Sequence, residues 1–185
     1  MSAVARRTLA CGAMALSLVL ASSTARAQDS SSNFASGPGT YLFLAAGVGL
    51  PLLRDGSEGK NHFFRTADSG LSAVLLAEGL KRLTRVPRPD TGERDSFPSE
   101  HATAAFAVAT MESDFHPREA PLWYAGATVI SLSRLWEGRH RPLDVLGGAA
   151  LGFATARLEL SRNRGLLLTP WIDGRSAGMM LTAQF

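Results

Sequence analysis

Apolar residues fall in runs of helical length, separated by short polar breaks rich in proline and glycine. Tyr41–Leu53 is one such run, closed by Pro51. Asp68–Thr84 has helical periodicity, with Leu71, Val74, Leu75 and Leu80 on roughly one face. Three prolines and several charges make residues 86–98 a loop. Ser99–Ser113 is a helix of mostly small residues, and Ala120–Trp136 is an apolar helix that starts near Pro121. Leu143–Leu160 is a further helix, where Gly147, Gly148 and Gly152 allow close approach of a neighbour. The tail changes period. Leu166–Ile172 and Met179–Phe185 flank Asp173-Gly174 and Gly178, and the last segment alternates, which predicts a short β-hairpin.

The uncharged stretches inside these helices reach about 10–14 residues, whereas a membrane-spanning helix needs about 20. Buried helices of a compact all-α bundle account for them. The Gly148-x-x-x-Gly152 pair also fits a membrane-embedded bundle, so that version stays open.

The first 27 residues read as an export signal: Arg6-Arg7, an uncharged run from Thr8 to Ala25, and Ala25-Arg26-Ala27 as a small-x-small cleavage site. An uncleaved membrane anchor is the alternative. Residues 28–39, rich in Ser, Gly and Pro, read as a flexible leader. The domain plan is therefore signal peptide 1–27, leader 28–39, helical domain 40–162 and hairpin appendage 163–185. The expected location is exported and periplasmic, with peripheral membrane contact open.

Charge and cysteine content narrow the chemistry. The net charge of +3 owes much to the arginines of the signal segment, and the remainder is close to neutral. Nucleic acid, which requires a basic surface, is excluded as a partner. The single cysteine, Cys11, lies in the signal segment, which removes thiol nucleophiles, disulfides and thiolate metal sites from the mature chain.

Three segments carry candidate chemistry: Lys81 to Pro89, Phe97-Pro98-Ser99-Glu100-His101, and Ser133-Arg134 through His140 to Asp144. Lys81, Arg88 and Arg134 supply cations, and Ser99 at a helix start supplies a hydroxyl beside outward-facing N–H groups; together these can hold a phosphate dianion. Asp144 follows His140 by four residues, a spacing at which a carboxylate can fix the imidazole tautomer and leave the other nitrogen as a nucleophile. His101 is placed to protonate a leaving oxygen. His62 and His116 lie outside these segments and are assigned to solvent. Trp123, Trp136 and Phe106 are assigned to the core.

The ordered segments resemble the motifs of the type 2 phosphatidic acid phosphatases, whose superfamily includes bacterial acid phosphatases and vanadium haloperoxidases. Lys81, Arg88 and Pro89 match K-x6-R-P; Pro98, Ser99 and His101 match P-S-G-H; Ser133, Arg134, His140 and Asp144 match S-R-x5-H-x3-D. The resemblance covers roughly residues 60–160. It implies an α-helical bundle with the site at the helix ends. It also implies a phosphatase without a metal that acts on phosphate monoesters or pyrophosphates, lipid phosphates first and small phosphate esters second. By the same resemblance His140 becomes a phosphohistidine, Asp144 orients it and His101 is the general acid. Lys81, Arg88, Ser99, the backbone N–H of Glu100 and Arg134 hold the phosphoryl oxygens. No cofactor is implied, and vanadate enters as an inhibitor.

Two departures stand out. Glu100 replaces the usual glycine, and the expectation is that its carboxylate points away from the site, where the helix N-terminus favours it. Only eight residues separate Pro89 from Pro98, which suggests an open entrance. The alternatives are a haloperoxidase with vanadate as cofactor, and a weakened phosphate-binding relative in which Glu100 spoils turnover.

Overall fold

The computed structural model describes residues 34–162, 168–173 and 176–181. The signal segment, most of the leader and the ends of the tail lie outside the described residues. Among the described residues five long helices form the domain: α1 (Pro38–Arg54), α2 (Gly59–Thr84), α3 (Glu100–Phe115), α4 (Ala120–Trp136) and α5 (Pro142–Ser161). A 3₁₀ turn, Gly56–Glu58, links α1 to α2. Leu168–Asp173 and Ser176–Leu181, β1 and β2, pair antiparallel with Leu168 opposite Leu181.

Helix α3 is the centre of the bundle and touches α1, α2, α4 and α5. Its composition makes this possible. Ala102, Ala104, Ala105, Ala107 and Ala109 are all buried, and side chains this small let backbones approach closely. On α5, a Cβ at Gly152 would stand 2.1 Å from the Thr103 carbonyl oxygen, and one at Gly148 would stand 2.4 Å from that of Ser99. No other residue fits either position without moving the helices apart. The apolar centre is built from Ala105, Val108, Ala109, Trp123, Ala127 and Ile130, with Phe43 edge-on to Trp123 at 5.2 Å. Phe106 packs against this cluster, while Trp136 is half-buried.

Three expectations change. Helix α2 starts at Gly59 rather than near Asp68, because the polar 59–67 stretch continues the helix across the bundle. Three of its leucines face outward, Leu71 57%, Leu75 53% and Leu83 80% exposed, while Ser69, Ser72, Ala73 and Ala77 are buried. The inner face was chosen by side-chain size, since only small residues fit between α2 and α3. Finally, residues 34–36 are helical and α1 opens at Pro38, so this end of the leader is ordered and Thr40 is buried. Pro51 lies inside α1, one turn before its end, where its carbonyl accepts the Asp55 N–H.

Candidate active site

The three segments meet at one end of the bundle. Lys81 is in the last turn of α2, Ser99 caps α3, Arg134 is in the last turn of α4, and His140 and Asp144 flank the start of α5. All five are buried, as is Ser96. Local chain features place them. Arg85 takes a left-handed conformation, φ 49°, and ends α2. The loop that follows is tied down by the Ser96 N–H to Val86 O, 2.9 Å, and by the Arg141 guanidinium to Pro87 O, 2.9 Å. Gly138, φ 67°, turns the chain after α4, so that the N–H groups of Arg139 and His140 both donate to Arg134 O. The Ser99 N–H donates to Asp144 O at 2.9 Å and ties the start of α3 to that of α5.

Asp144 does not bond His140 directly. Its Oδ2 lies 3.8 Å from His140 Nδ1, beyond hydrogen-bond range. That oxygen accepts from the Ser96 hydroxyl at 2.6 Å and from the Arg141 N–H at 2.8 Å. Ser96 Oγ in turn stands 3.5 Å from His140 Nδ1. Ser96 thus lies between acid and imidazole. Nothing in the motif spacing marks it.

Burial, reinforced by the charges of Arg134 and Arg88, lowers the His140 pKa to about 4, against the pull of Asp144 and a hydrogen bond to the Ser96 backbone. The imidazole is therefore neutral at neutral pH, the state a nucleophile requires. His101 shifts down for the same leading reasons, burial and then Arg134, while Glu100, the Ser36 backbone and Glu137 oppose.

The His140 shift has a consequence for stability. Between about pH 6.5 and 4 the unfolded chain takes up a proton at His140 that the folded chain refuses, so stability falls as pH falls through that window. His140→Gln removes this penalty. Its thermal midpoint should drop less than wild type's between pH 7 and pH 4.5, and equal drops would contradict the shift.

Each cation also has an acid on it. Lys81 Nζ is 2.9 Å from Glu78 and 2.9 Å from Glu100. Burial alone would lower the Lys81 pKa, but these two carboxylates raise it. Arg88 grips Asp95 with two bonds, 2.7 and 2.9 Å. Arg134 Nη1 donates to Glu137 at 2.9 Å, and the Ser36 hydroxyl and Arg139 also reach Glu137. The Glu100 side chain therefore turns onto Lys81 rather than away, because a buried lysine offers it a stronger partner than the solvent-facing helix end. Glu137, three residues after Arg134, was legible as a helical ion pair but was not singled out from the sequence.

Two buried donors in this cluster have no protein partner, Ser99 Oγ and Arg134 Nε. Ser99 occupies the N-cap position but its hydroxyl makes no capping bond. Buried donors left without acceptors are costly, and an anion seated between them would satisfy both. His62 and His116, by contrast, are not in solvent; they converge on Asp55 at the far end of the bundle.

Comparison with known proteins agrees with this geometry. A family model described as the PAP2 superfamily matches residues 69–163, just over half of the chain. Among curated relatives, a bacitracin transport permease protein of Bacillus licheniformis is 40% identical over 62 residues, covering 34% of this chain and 30% of its own. A lipid A 1-phosphatase of Porphyromonas gingivalis is 42% identical over 76 residues, covering 38% and 17%. A decaprenylphosphoryl-5-phosphoribose phosphatase of Mycobacterium tuberculosis is 37% identical over 89 residues, covering 43% and 49%. The matches thus span less than half of each of these relatives' own length. In fold, the chain is similar to crystalline Aquifex aeolicus LpxE, with TM-score 0.61, 24% identity and coverage of 80% of this chain and 94% of that one. With three motif segments brought to one buried cluster, an all-helical fold shared with LpxE and a family model over the same residues, the chain belongs to the PAP2 superfamily.

Proposed function

We propose that the protein is a phosphatase that transfers a phosphoryl group to His140 and then to water, without a metal at the reacting centre. The observation that carries this is the buried meeting of Lys81, Ser99, Arg134 and His140, with Ser99 Oγ and Arg134 Nε left as unused donors. In this reading Nε2 of neutral His140 attacks phosphorus, the P–O bond to the leaving group breaks, and His101 gives that oxygen its proton. Water then gives a proton to the now neutral His101 and attacks phosphorus, the P–N bond breaks, and His140 returns neutral. Burial and Arg134 hold the His101 pKa down in the free site; the negative charge of a bound phosphate raises it again and favours the protonated acid. Lys81, Arg88, Arg134, Ser99 and the N–H of Glu100 stabilise the charge that spreads over the phosphoryl oxygens. Asp144 positions His140 through Ser96.

Lipid phosphates are the favoured substrates. Two of the named relatives are lipid phosphatases by their descriptions. Leu83 and Leu143, next to the helix ends that carry Lys81 and Asp144, are also exposed and can meet the apolar part of a lipid. Among the described residues no helix is long and apolar enough to cross a membrane. Export to the periplasm rests on the signal segment, and the strand pair is read as an appendage outside the chemistry. The test is phosphate release from phosphatidic acid and p-nitrophenyl phosphate in excess EDTA. Activity that survives EDTA and falls with vanadate supports the reading, and activity abolished by EDTA while circular dichroism shows the helices still folded would sink it.

A second reading is favoured by Glu100, which occupies Lys81: the site is weakened or tuned for substrates able to displace a carboxylate. Glu100→Gly should raise kcat/KM roughly two- to fivefold, the range of a partly exposed ion pair, with the gain shrinking at high salt. A fall in kcat/KM would mean that Glu100 assists binding.

A further inference from the structure

A second cluster of ionisable side chains lies at the opposite end of the bundle. His62 and Lys81 stand 19 positions apart on α2, about 28 Å along the helix. Asp55 ends α1, His62 lies in the first turns of α2 and His116 ends α3. Both imidazoles approach the same carboxylate oxygen: His62 Nδ1 is 2.6 Å and His116 Nε2 is 3.1 Å from Asp55 Oδ2. The three donor atoms lie within 4.8 Å of one another.

The surroundings hold these groups in place. The His62 ring stacks on Phe115 at 3.9 Å, with planes 12° apart. The Asp55 side chain is 6% exposed. Glu112, fully buried, stands 3.8 Å from His116 Nε2, and its other oxygen, Oε1, has no hydrogen-bond partner. Arg54 is the one guanidinium bonded here, and it is held by Glu112 and Glu119. Three carboxyl groups, Asp55, Glu112 and Glu119, thus gather around Arg54 beside the two imidazoles.

We propose that Asp55, His62 and His116 bind one zinc ion, with Glu112 beside it as the further carboxylate. Two imidazoles and a carboxylate suit zinc among the common divalent ions. Bonds of about 2.0–2.1 Å in a tetrahedral arrangement set ligand atoms roughly 3.3 Å apart. The contacts at 2.6 and 3.1 Å open to that spacing with shifts below 1 Å. Such an ion clamps α1, α2 and α3 together and takes no part in phosphoryl transfer. It stands independently of the proposed phosphatase activity.

The test uses the purified, untagged full-length chain, stripped with EDTA and dialysed. Titration calorimetry with zinc should show one ion bound per chain. Thermal unfolding should shift up by roughly 5–10 °C at zinc about 100 times its Kd. Cobalt should give the visible absorption of a four-coordinate nitrogen–oxygen site. His62→Gln and His116→Gln, checked for wild-type helical circular dichroism, should lose the zinc and the shift, whereas His140→Ala should keep both. The wild-type stoichiometry and cobalt spectrum decide the matter even if a variant fails to fold. No stoichiometric binding by wild type, or binding lost in His140→Ala and kept in the His62 and His116 variants, overturns the proposal. Phosphate release by the stripped protein is read separately, so failure here leaves the phosphatase reading untouched.

Discussion

His140→Ala should lower the rate of phosphate release at saturating substrate by at least about 10³-fold, the scale of losing a nucleophile from a catalytic unit. The imidazole is buried, neutral at assay pH and held on its Nδ1 side by Ser96, with Asp144 behind. Alanine removes the nitrogen proposed to attack and leaves Lys81, Arg88, Arg134 and Ser99 in place. KM should therefore change far less than kcat. The check is initial rates on phosphatidic acid, with circular dichroism to show that the helices persist. A variant that kept a tenth of the wild-type rate would assign the nucleophile elsewhere.

Arg134→Gln should lower kcat/KM by about 10²–10³-fold, the loss expected when one preorganised donor to a developing charge is removed. Arg134 is 6% exposed, its Nη1 is held by Glu137, and its Nε is the unused donor beside the reacting imidazole's segment. Glutamine keeps some length but loses both charge and fork. Arg134→Lys keeps the charge without the planar fork and should recover only part of the loss. The nearby Arg139 is 52% exposed and also touches Glu137; Arg139→Gln should stay within about threefold of wild type, the ceiling for most surface pairs. Steady-state kinetics on the three variants decide it. Equal losses at Arg134 and Arg139 would mean that general surface charge, not a placed guanidinium, binds the phosphate.

Much of this site was legible in the sequence because its residues are set by helix ends. Proline and glycine mark where α3 and α5 begin and where α4 stops, and the motif residues sit at those boundaries. What the sequence left hidden depends on contacts between distant segments. Ser96 sits in a loop with no periodic signal and matters only because the chain returns to place it against Asp144, 48 residues on. Glu100 was expected to turn outward on local helix electrostatics; a buried lysine 19 residues earlier decides otherwise. Spacing puts leucines of α2 on one face without saying which way that face turns; Leu71 and Leu75 turn outward because the small residues Ser69, Ser72, Ala73 and Ala77 pack inward. His62 and His116 looked like solvated residues because each lies in a polar stretch. Only the fold brings the end of α1 between them.

In the proposed mechanism His140 carries the phosphoryl group. The most direct measurement is rapid acid-free quenching of the wild-type protein with a phosphorus-labelled substrate, followed by mapping of the labelled peptide. The expected result is label on His140 that is stable to base and lost in acid, and none in His140→Ala. Turnover in wild type with no trapped label at His140 even when water attack is slowed, or label on another residue, would contradict it.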